Sequence, residues 1–280
     1  MESDSGNFVK GLIVGLAAEL LFVACWIFVA LVAGCATPPR AARPAFEPDG
    51  TNKVPRAALV VNLTRVDVSA YGGWTGDCIG TGADAATVKG ALDALGIPYL
   101  ALSDAEATRA GVEAAARSVG ATIAPGGLLI LYFSGHGGQR PAFGAELDGL
   151  DETICLYDGP LLDDTVWAML QDVPRGVRVW LVTDCCNSGT NYRGPHNYAR
   201  GVRAWWRHDP DLLHWGAARD GQNAVGSAAG GFFTIALEAA YRPGVTYREW
   251  FDAALPLVKG KQRPVSNYTG TDFSDREAFQ

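Results

Sequence analysis

Residues 128–136 read LLILYFSGH, and this stretch decides the fold class of the chain. Its first six residues are apolar without a polar interruption, which is typical of a strand covered on both faces in a parallel sheet. The strand ends abruptly in SGHGG, so that His136 follows it among glycines. Open α/β sheets bind ligands at the carboxyl ends of their strands. His136 is therefore a candidate functional residue.

A second apolar run, VRVWLVT at residues 177–183, repeats this design and leads into DCCNSG at residues 184–189. If both strands lie in one parallel sheet, their carboxyl ends share an edge, so His136 is expected near Cys185 and Cys186. A thiol is mostly protonated at neutral pH and needs a base such as histidine to become a nucleophile. Free cysteines are also among the most buried residues. The pattern thus predicts that one thiol packs and the other reacts.

Length and composition narrow the possible functions. The 280 residues suffice for one sizeable domain or two small ones, and 48% hydrophobic residues against 19% charged residues are typical of a globular core. A formal charge of 23 − 30 = −7, without a long basic run, argues against nucleic acid as a partner. The six cysteines include no CxxC pair, and vicinal cysteines rarely bridge each other. We therefore expect neither a zinc site nor a disulfide framework.

The N-terminal residues predict attachment to a membrane. Residues 11–36 carry a single charge, Glu19, and as a helix they would span about 39 Å against a hydrocarbon core of about 30 Å. A buried core helix is the alternative interpretation. Residues 31–35, LVAGC, resemble a bacterial lipobox, in which Cys35 would be lipidated. A single-pass segment and a lipid anchor both stay open, and so does the side of the membrane on which the domain lies.

We divide the chain into residues 1–36 (a transmembrane or signal/lipobox segment), residues 37–55 (a Pro/Ala-rich tether) and residues 56–280 (the folded domain). Within the domain, strand patterns at residues 57–63, 97–102, 128–133, 177–183 and 212–217 alternate with helix patterns at residues 83–95, 104–119, 163–170, 231–241 and 247–255. This alternation predicts a parallel sheet with helices on both faces.

An acidic stretch lies between the strands predicted at residues 128–133 and 177–183. Its carboxylates are Asp148, Asp151, Glu152, Asp158, Asp163 and Asp164. They could form a solvated face, or a hard-cation site, because Ca²⁺ prefers several carboxylate oxygens. No EF-hand loop is present, and the spacing alone favours the solvated face.

SGHGG at residues 134–138 and DCCNSG at residues 184–189 together resemble the metacaspases, the caspase-like cysteine peptidases of plants, fungi, protists and bacteria. The separation from His136 to Cys186 is 186 − 136 = 50 residues, and caspases have a His about 50 residues before the Cys. Residues 82–92, 148–159, 163–164 and 230–240 match as well, so the likeness extends over residues 56–270.

The resemblance implies a caspase-like three-layer α/β/α sandwich with a mainly parallel sheet, following the N-terminal membrane segment. It implies that Cys186 is the nucleophile and that His136 is the general base and acid. Backbone N–H groups of Gly137 and Cys186 would form the oxyanion hole. The chemistry would need no cofactor.

The resemblance also implies how substrates and activators bind. Asp84, Ser134 and Asp184 match a pocket that selects Arg or Lys before the scissile bond. Metacaspases are often activated by Ca²⁺, and the matching carboxylates are Asp151, Asp163 and Asp164.

The chain departs from the metacaspase pattern at two places. Asn187 stands where a His usually follows the nucleophile, and Thr81-Gly82-Ala83 replaces the usual glycine-cysteine pair before Asp84. The first change leaves the predicted base in place, because the residue after the nucleophile is not the base. The second makes the geometry of the pocket an open question.

The expected function is that of a membrane-tethered, monomeric cysteine endopeptidase that cleaves after Arg or Lys. The expected partners are protein or peptide substrates and the membrane, without nucleic acid. Residues 191–207 carry four arginines and predict a self-cleavage site, with an ordinary solvated basic loop as the alternative. A different class also stays open, a catalytically silent caspase-like scaffold or binding domain.

Overall fold

The computed structural model describes residues 54–142, 149–193 and 210–280. The elements along this part of the chain are β1 (Val54–Asn62), α1 (Thr81–Leu95), β2 (Tyr99–Ser103), α2 (Arg109–Ala121), β3 (Ile123–Ser134), β4 (Gly137–Pro141), β5 (Leu150–Leu156), β6 (Gly159–Leu162), α3 (Asp163–Gln171), β7 (Arg178–Asp184), β8 (Asp211–Gly216), β9 (Gly226–Ser227), β10 (Gly230–Gly231), α4 (Phe232–Ala240), α5 (Tyr247–Val258) and β11 (Val265–Thr269).

The central sheet has six strands in the order β11-β8-β7-β3-β1-β2. The pairs β2–β1, β1–β3, β3–β7 and β7–β8 are parallel, and β11 alone runs antiparallel to its neighbour β8. The predicted mainly parallel sheet is thus confirmed. The two strands that the sequence singled out, β3 and β7, are direct neighbours in its interior.

Helices cover both faces of this sheet, which explains why β3 shows no alternation of polar and apolar residues. On β3, Leu129, Leu131 and Phe133 join the core that α2 and α3 cover. Leu128, Ile130 and Tyr132 join the core on the opposite face, beneath α1, α4 and α5. A strand with apolar contacts on both faces must be apolar throughout. The predicted three-layer α/β/α arrangement is confirmed.

One helix begins later than predicted, because the side chain of Asp104 forms hydrogen bonds with the loop after β1. The expected helix at residues 104–119 is a short 3₁₀ turn followed by α2, which starts at Arg109. The Asp104 carboxylate accepts hydrogen bonds from the N–H and the hydroxyl of Thr64, so it holds the loop after β1. Thr108 caps α2 instead, with Oγ1 accepting from the N–H of Gly111 at 3.1 Å.

A small second sheet occupies part of the segment between β3 and β7, where the sequence predicted no strand. Strands β4, β5 and β6 form three antiparallel strands, beginning with Gly137 immediately after His136. β4 reads GGQRP and carries no hydrophobic alternation, so its pairing with β5 was not predictable from its own residues. This sheet supports the chain that leaves the end of β3.

Some predictions fall outside the described residues. These are the membrane or lipobox segment with Cys35, the tether up to residue 53, Asp148, and most of the predicted processing loop, of which residues 191–193 alone are described. In the part of the chain that the structure describes, no helix is both long enough and apolar enough to cross a membrane.

Candidate active site

The parallel register brings His136 and Cys186 to one edge of the sheet. Ser134 at the end of β3 pairs with Asp184 at the end of β7. His136 and Cys186 each lie two residues beyond this pair, on adjacent strand ends. The N–H of Gly135 also donates to the carbonyl oxygen of Asp184 at 3.3 Å, which ties the two turns together. The proximity that the sequence predicted therefore follows from the strand pairing itself.

Two residues of the loop between β1 and α1 orient the ring of His136. Its Nε2 lies 3.3 Å from the carbonyl oxygen of Asp77, and the indole of Trp74 packs on the ring with centroids 4.8 Å apart. A carbonyl oxygen only accepts hydrogen bonds, so this contact assigns the proton of the neutral imidazole to Nε2. The lone pair of Nδ1 is then available to take a proton.

The two neighbouring thiols have different surroundings. Cys185 is buried, its Sγ accepts a hydrogen bond from Asn191 Nδ2 at 3.6 Å, and burial raises the pKa of its thiol well above the usual range. Cys186 is half-buried, with Sγ 3.9 Å from the carbonyl oxygen of Ala224. An enclosed, protonated thiol is inert, whereas a partly accessible one can react. The geometry therefore favours Cys186 over Cys185 as the nucleophile.

No direct hydrogen bond joins Cys186 Sγ to the ring of His136 within the described residues. Catalytic hydrogen bonds are often long in the absence of substrate and shorten in the complex. The pair is therefore compatible with catalysis.

Gly137 packs against the backbone of Cys186 in a space that admits no side chain. A Cβ at this position would overlap the carbonyl oxygen of Cys186 and lie 2.9 Å from Cys185 Sγ. Backbone N–H groups held at fixed positions can stabilise the oxyanion of an acyl-transfer reaction. The two predicted oxyanion-hole residues thus lie on segments in direct contact.

Asp84, Ser134 and Asp184 form one buried cluster beside this pair. Ser134 Oγ donates to Asp84 Oδ2 at 2.7 Å, and Asp84 and Asp184 are 2% and 5% exposed. Thr234 donates both its N–H (3.0 Å) and its hydroxyl (2.7 Å) to Asp184 Oδ2. Neither carboxyl group forms an ion pair with any basic side chain among the described residues.

Both acidic groups of this cluster resist ionisation. Burial and the charge of Asp84 raise the pKa of Asp184 to about 7, and burial raises the pKa of Asp84. An opposite charge nearby favours ionised carboxylates. A guanidinium or ammonium group in contact with the cluster would therefore lower both pKa values and form charge-assisted hydrogen bonds.

Backbone without side chains lines this acidic cluster. The N–H of Gly231 donates to Asp84 Oδ1 at 2.8 Å. A Cβ on Gly230 would meet the Asp84 carboxylate, and one on Gly231 would meet that of Asp184. The short β9–β10 hairpin and Thr234 are contributions to the site that sequence reasoning missed, although both lie in or beside the matching stretch at residues 230–240.

The predicted calcium ligands are engaged within the protein. Asp151 Oδ2 lies 3.7 Å from Nε of Arg140, and Asp163 Oδ1 accepts from the N–H of Asp164 at 2.9 Å. Among the described residues, no group of three or more His, Cys, Asp or Glu side chains is arranged to hold a metal ion. In the described residues these three carboxylates therefore form no preformed calcium site.

Comparison with known proteins agrees with this geometry. A family model described as the metacaspase, peptidase C14 domain matches residues 100–194, which include both His136 and Cys186. Metacaspase-2 of Arabidopsis thaliana is 30% identical over 182 residues, or 53% of this chain and 44% of its own length. Over these residues the chain is similar to the metacaspases. It spans less than half the length of the curated relatives it matches.

Two solved structures share the fold of this domain. A protein from Geobacter sulfurreducens is 29% identical with a TM-score of 0.68, over 81% of this chain and 98% of that chain. Caspase-1 from Spodoptera frugiperda is 15% identical with a TM-score of 0.54, over 80% and 94% of the two chains. The predicted caspase-like fold is confirmed.

The structure explains both departures from the metacaspase pattern. Asn187 adopts the left-handed backbone conformation (φ 49°), which asparagine tolerates better than most residues, and its Oδ1 accepts from the N–H of Gly221 at 2.9 Å. Thr81 begins α1 and donates its hydroxyl to the carbonyl oxygen of Leu63 at 2.9 Å. Asp84 reaches the acidic cluster without the usual glycine-cysteine pair.

Proposed function

We propose that this protein is a cysteine endopeptidase that cleaves peptide bonds after Arg or Lys. The observation that carries the proposal is the buried pair Asp84 and Asp184, which lacks a basic partner among the described residues, beside a half-buried thiol and an oriented histidine. The two carboxylates bind the basic side chain of the substrate, and the thiol attacks the carbonyl group next to it.

In the proposed reaction, Nδ1 of His136 takes the proton of the Cys186 thiol, and Sγ attacks the carbonyl carbon of the scissile bond. The oxyanion that forms lies against the backbone N–H groups of Gly137 and Cys186. His136 then returns the proton to the leaving amine, which departs and leaves a thioester. Water, deprotonated by His136, attacks the thioester and releases the acid product and the free thiol.

The acidic cluster positions the basic side chain of the substrate. A guanidinium group donates paired hydrogen bonds to carboxylates, and an ammonium group acts as a compact charge. Ser134 stays bonded to Asp84 and Thr234 to Asp184, so the carboxylates are held in place before the substrate arrives. Preorganised contacts of this kind reduce the free-energy cost of binding.

A covalent probe tests the proposal. A peptide with a carboxyl-terminal arginyl chloromethyl ketone should alkylate the purified protein, and peptide mapping should place the adduct on Cys186. The matched aspartyl ketone should label at least tenfold more slowly. Equal labelling by both probes would contradict the proposed pocket. Absence of labelling by either, in a folded protein, would favour the silent scaffold or binding domain.

Three further properties are proposed from the sequence and the family resemblance. Residues 11–36 attach the protein to a membrane, which extraction of the membrane fraction at alkaline pH would test. Calcium raises peptidase activity, which a titration with and without chelator would test.

The chain cleaves itself after an arginine in residues 191–207. If intact-mass measurement finds wild type whole while it digests an added Arg peptide, this proposal of self-cleavage fails.

A further inference from the structure

Trp74 is a large aromatic side chain that is exposed at the candidate active site. It is 43% exposed, yet its indole packs on the ring of His136 with centroids 4.8 Å apart and an angle of 58° between the planes. Tryptophan is among the residues most often found at the energetic centres of binding surfaces. The exposed indole beside the predicted base is therefore a candidate for contact with a ligand.

The loop around Trp74 holds the indole in place. Tyr71 packs against it edge to face at 5.6 Å and is itself anchored by a hydrogen bond from its hydroxyl to the carbonyl oxygen of Leu156 at 2.6 Å. The N–H of Val66 donates to the carbonyl oxygen of Thr75 at 3.0 Å, which closes the loop. A binding surface that is already ordered loses little entropy when a ligand arrives.

The chemistry of peptide cleavage indicates what would meet this indole. The leaving amine belongs to the residue that follows the scissile bond, and it must come within hydrogen-bond reach of His136, about 3 Å, to receive its proton. The side chain on that amine extends several further ångströms from the imidazole. The exposed part of Trp74, packed on the same ring, lies within that reach.

We propose that Trp74 forms the subsite for the residue after the scissile bond, and that this subsite favours an apolar or aromatic side chain. The proposal rests on the proposed peptidase function and deepens it, since the acidic cluster selects the residue before the bond and Trp74 the residue after it. Preferred substrates then contain a basic residue followed directly by an apolar one.

Internally quenched peptides that differ in one residue test the proposal. All carry the same sequence up to Arg and continue with Leu, Phe, Gly or Asp at the next position. Wild type should cleave the Leu and Phe peptides with kcat/KM about tenfold above that of the Gly peptide, and the Asp peptide more slowly still. Trp74→Ala should reduce the ratio between Leu and Gly to within about twofold, while Trp74→Phe should keep most of it.

Ile79→Ala is the matched control, because Ile79 is an apolar residue of the same loop and is 76% exposed. It should leave the ratio between Leu and Gly unchanged. If Trp74→Ala lowered kcat/KM for all four peptides equally, Trp74 would only position His136 and the subsite would be refuted. Cleavage by wild type without any preference would refute the subsite alone, whereas no cleavage of any peptide would refute the peptidase function and the subsite with it.

Discussion

Replacing Asp184 by asparagine should make the protein more stable and less active. Burial and the charge of Asp84 raise the pKa of Asp184 from 3.8 to about 7. Between these two pH values the native state keeps the proton that the unfolded chain has released, so stability falls as the pH rises through this window. At about 1.4 kcal/mol for each pKa unit, ionised Asp184 costs about 4 kcal/mol of unfolding free energy above pH 7.

Asp184→Asn removes this cost. The two hydrogen bonds from Thr234 lower the pKa of Asp184, so their stabilisation of the charged form is already contained in the value of about 7. The net gain in unfolding free energy should therefore be about 4 kcal/mol at pH 8.5. It should fall to about 2 kcal/mol at pH 5, where the native state still holds the proton and the carboxyl of the unfolded chain titrates only about one pH unit lower.

Urea unfolding of wild type and variant at pH 5 and pH 8.5 measures this difference. The matched control is Asp252→Asn, which removes one negative charge from an exposed position on α5 and should change neither value by more than about 0.5 kcal/mol. The same Asp184→Asn protein should lose at least tenfold in kcat/KM for Arg peptides, about 1.4 kcal/mol of transition-state binding. A variant less stable than wild type at pH 8.5, or a gain that is equal at both pH values, would show that Asp184 is not a buried carboxyl group of raised pKa.

Three other changes test separate parts of the molecule: the two thiols, the contact of Gly137, and the buried His214 on β8. Cys186→Ala should abolish hydrolysis while Cys185→Ala keeps a substantial fraction, and preferential labelling of Cys185 by iodoacetamide would contradict this. Gly137→Ala should lower kcat/KM at least 100-fold, because its Cβ would displace the backbone of Cys186; near-normal activity would exclude that contact from catalysis. Burial and the charge of Arg193 lower the pKa of His214 to about 3, so wild type loses stability as the pH falls from 7.5 to 5 and the unfolded chain takes up the proton. His214→Gln lacks this group, and its unfolding free energy should fall by about 2 kcal/mol less than that of wild type over the same range. Parallel plots of unfolding free energy against pH for the two proteins would contradict this.

The sequence predicted the elements whose residues are determined by burial alone. β3 and β7 are apolar on both faces because helices cover both sides of the sheet, and this burial is visible in the sequence as an uninterrupted apolar run. The meeting of His136 and Cys186 then followed from parallel pairing, in which Ser134 and Asp184 are in register. The choice between Cys185 and Cys186 came from the family resemblance, and the burial of Cys185 supplies its physical reason.

The surroundings of His136 were not predictable in the same way. Asp77 and Trp74 lie in a glycine-rich stretch without periodicity, and they reach the histidine through a loop anchored by Tyr71 on the end of β5, 85 residues away. The β4–β5–β6 sheet also depends on pairing between distant, largely polar segments. Contacts of this kind arise from the tertiary structure, which residue patterns within one segment do not encode.

In the proposed function, Cys186 and His136 cleave peptides next to a cation bound by Asp84 and Asp184. The decisive measurement is the hydrolysis of three coumarin-amide peptides, identical except for a terminal Arg, Lys or Asp, with wild type, Cys186→Ala and His136→Ala assayed with and without Ca²⁺. We predict release of coumarin from the Arg and Lys peptides by wild type, background rates for the Asp peptide, and background rates for both variants on all three. Undiminished hydrolysis by Cys186→Ala would exclude Cys186 as the nucleophile, and faster cleavage after Asp than after Arg would exclude the proposed pocket.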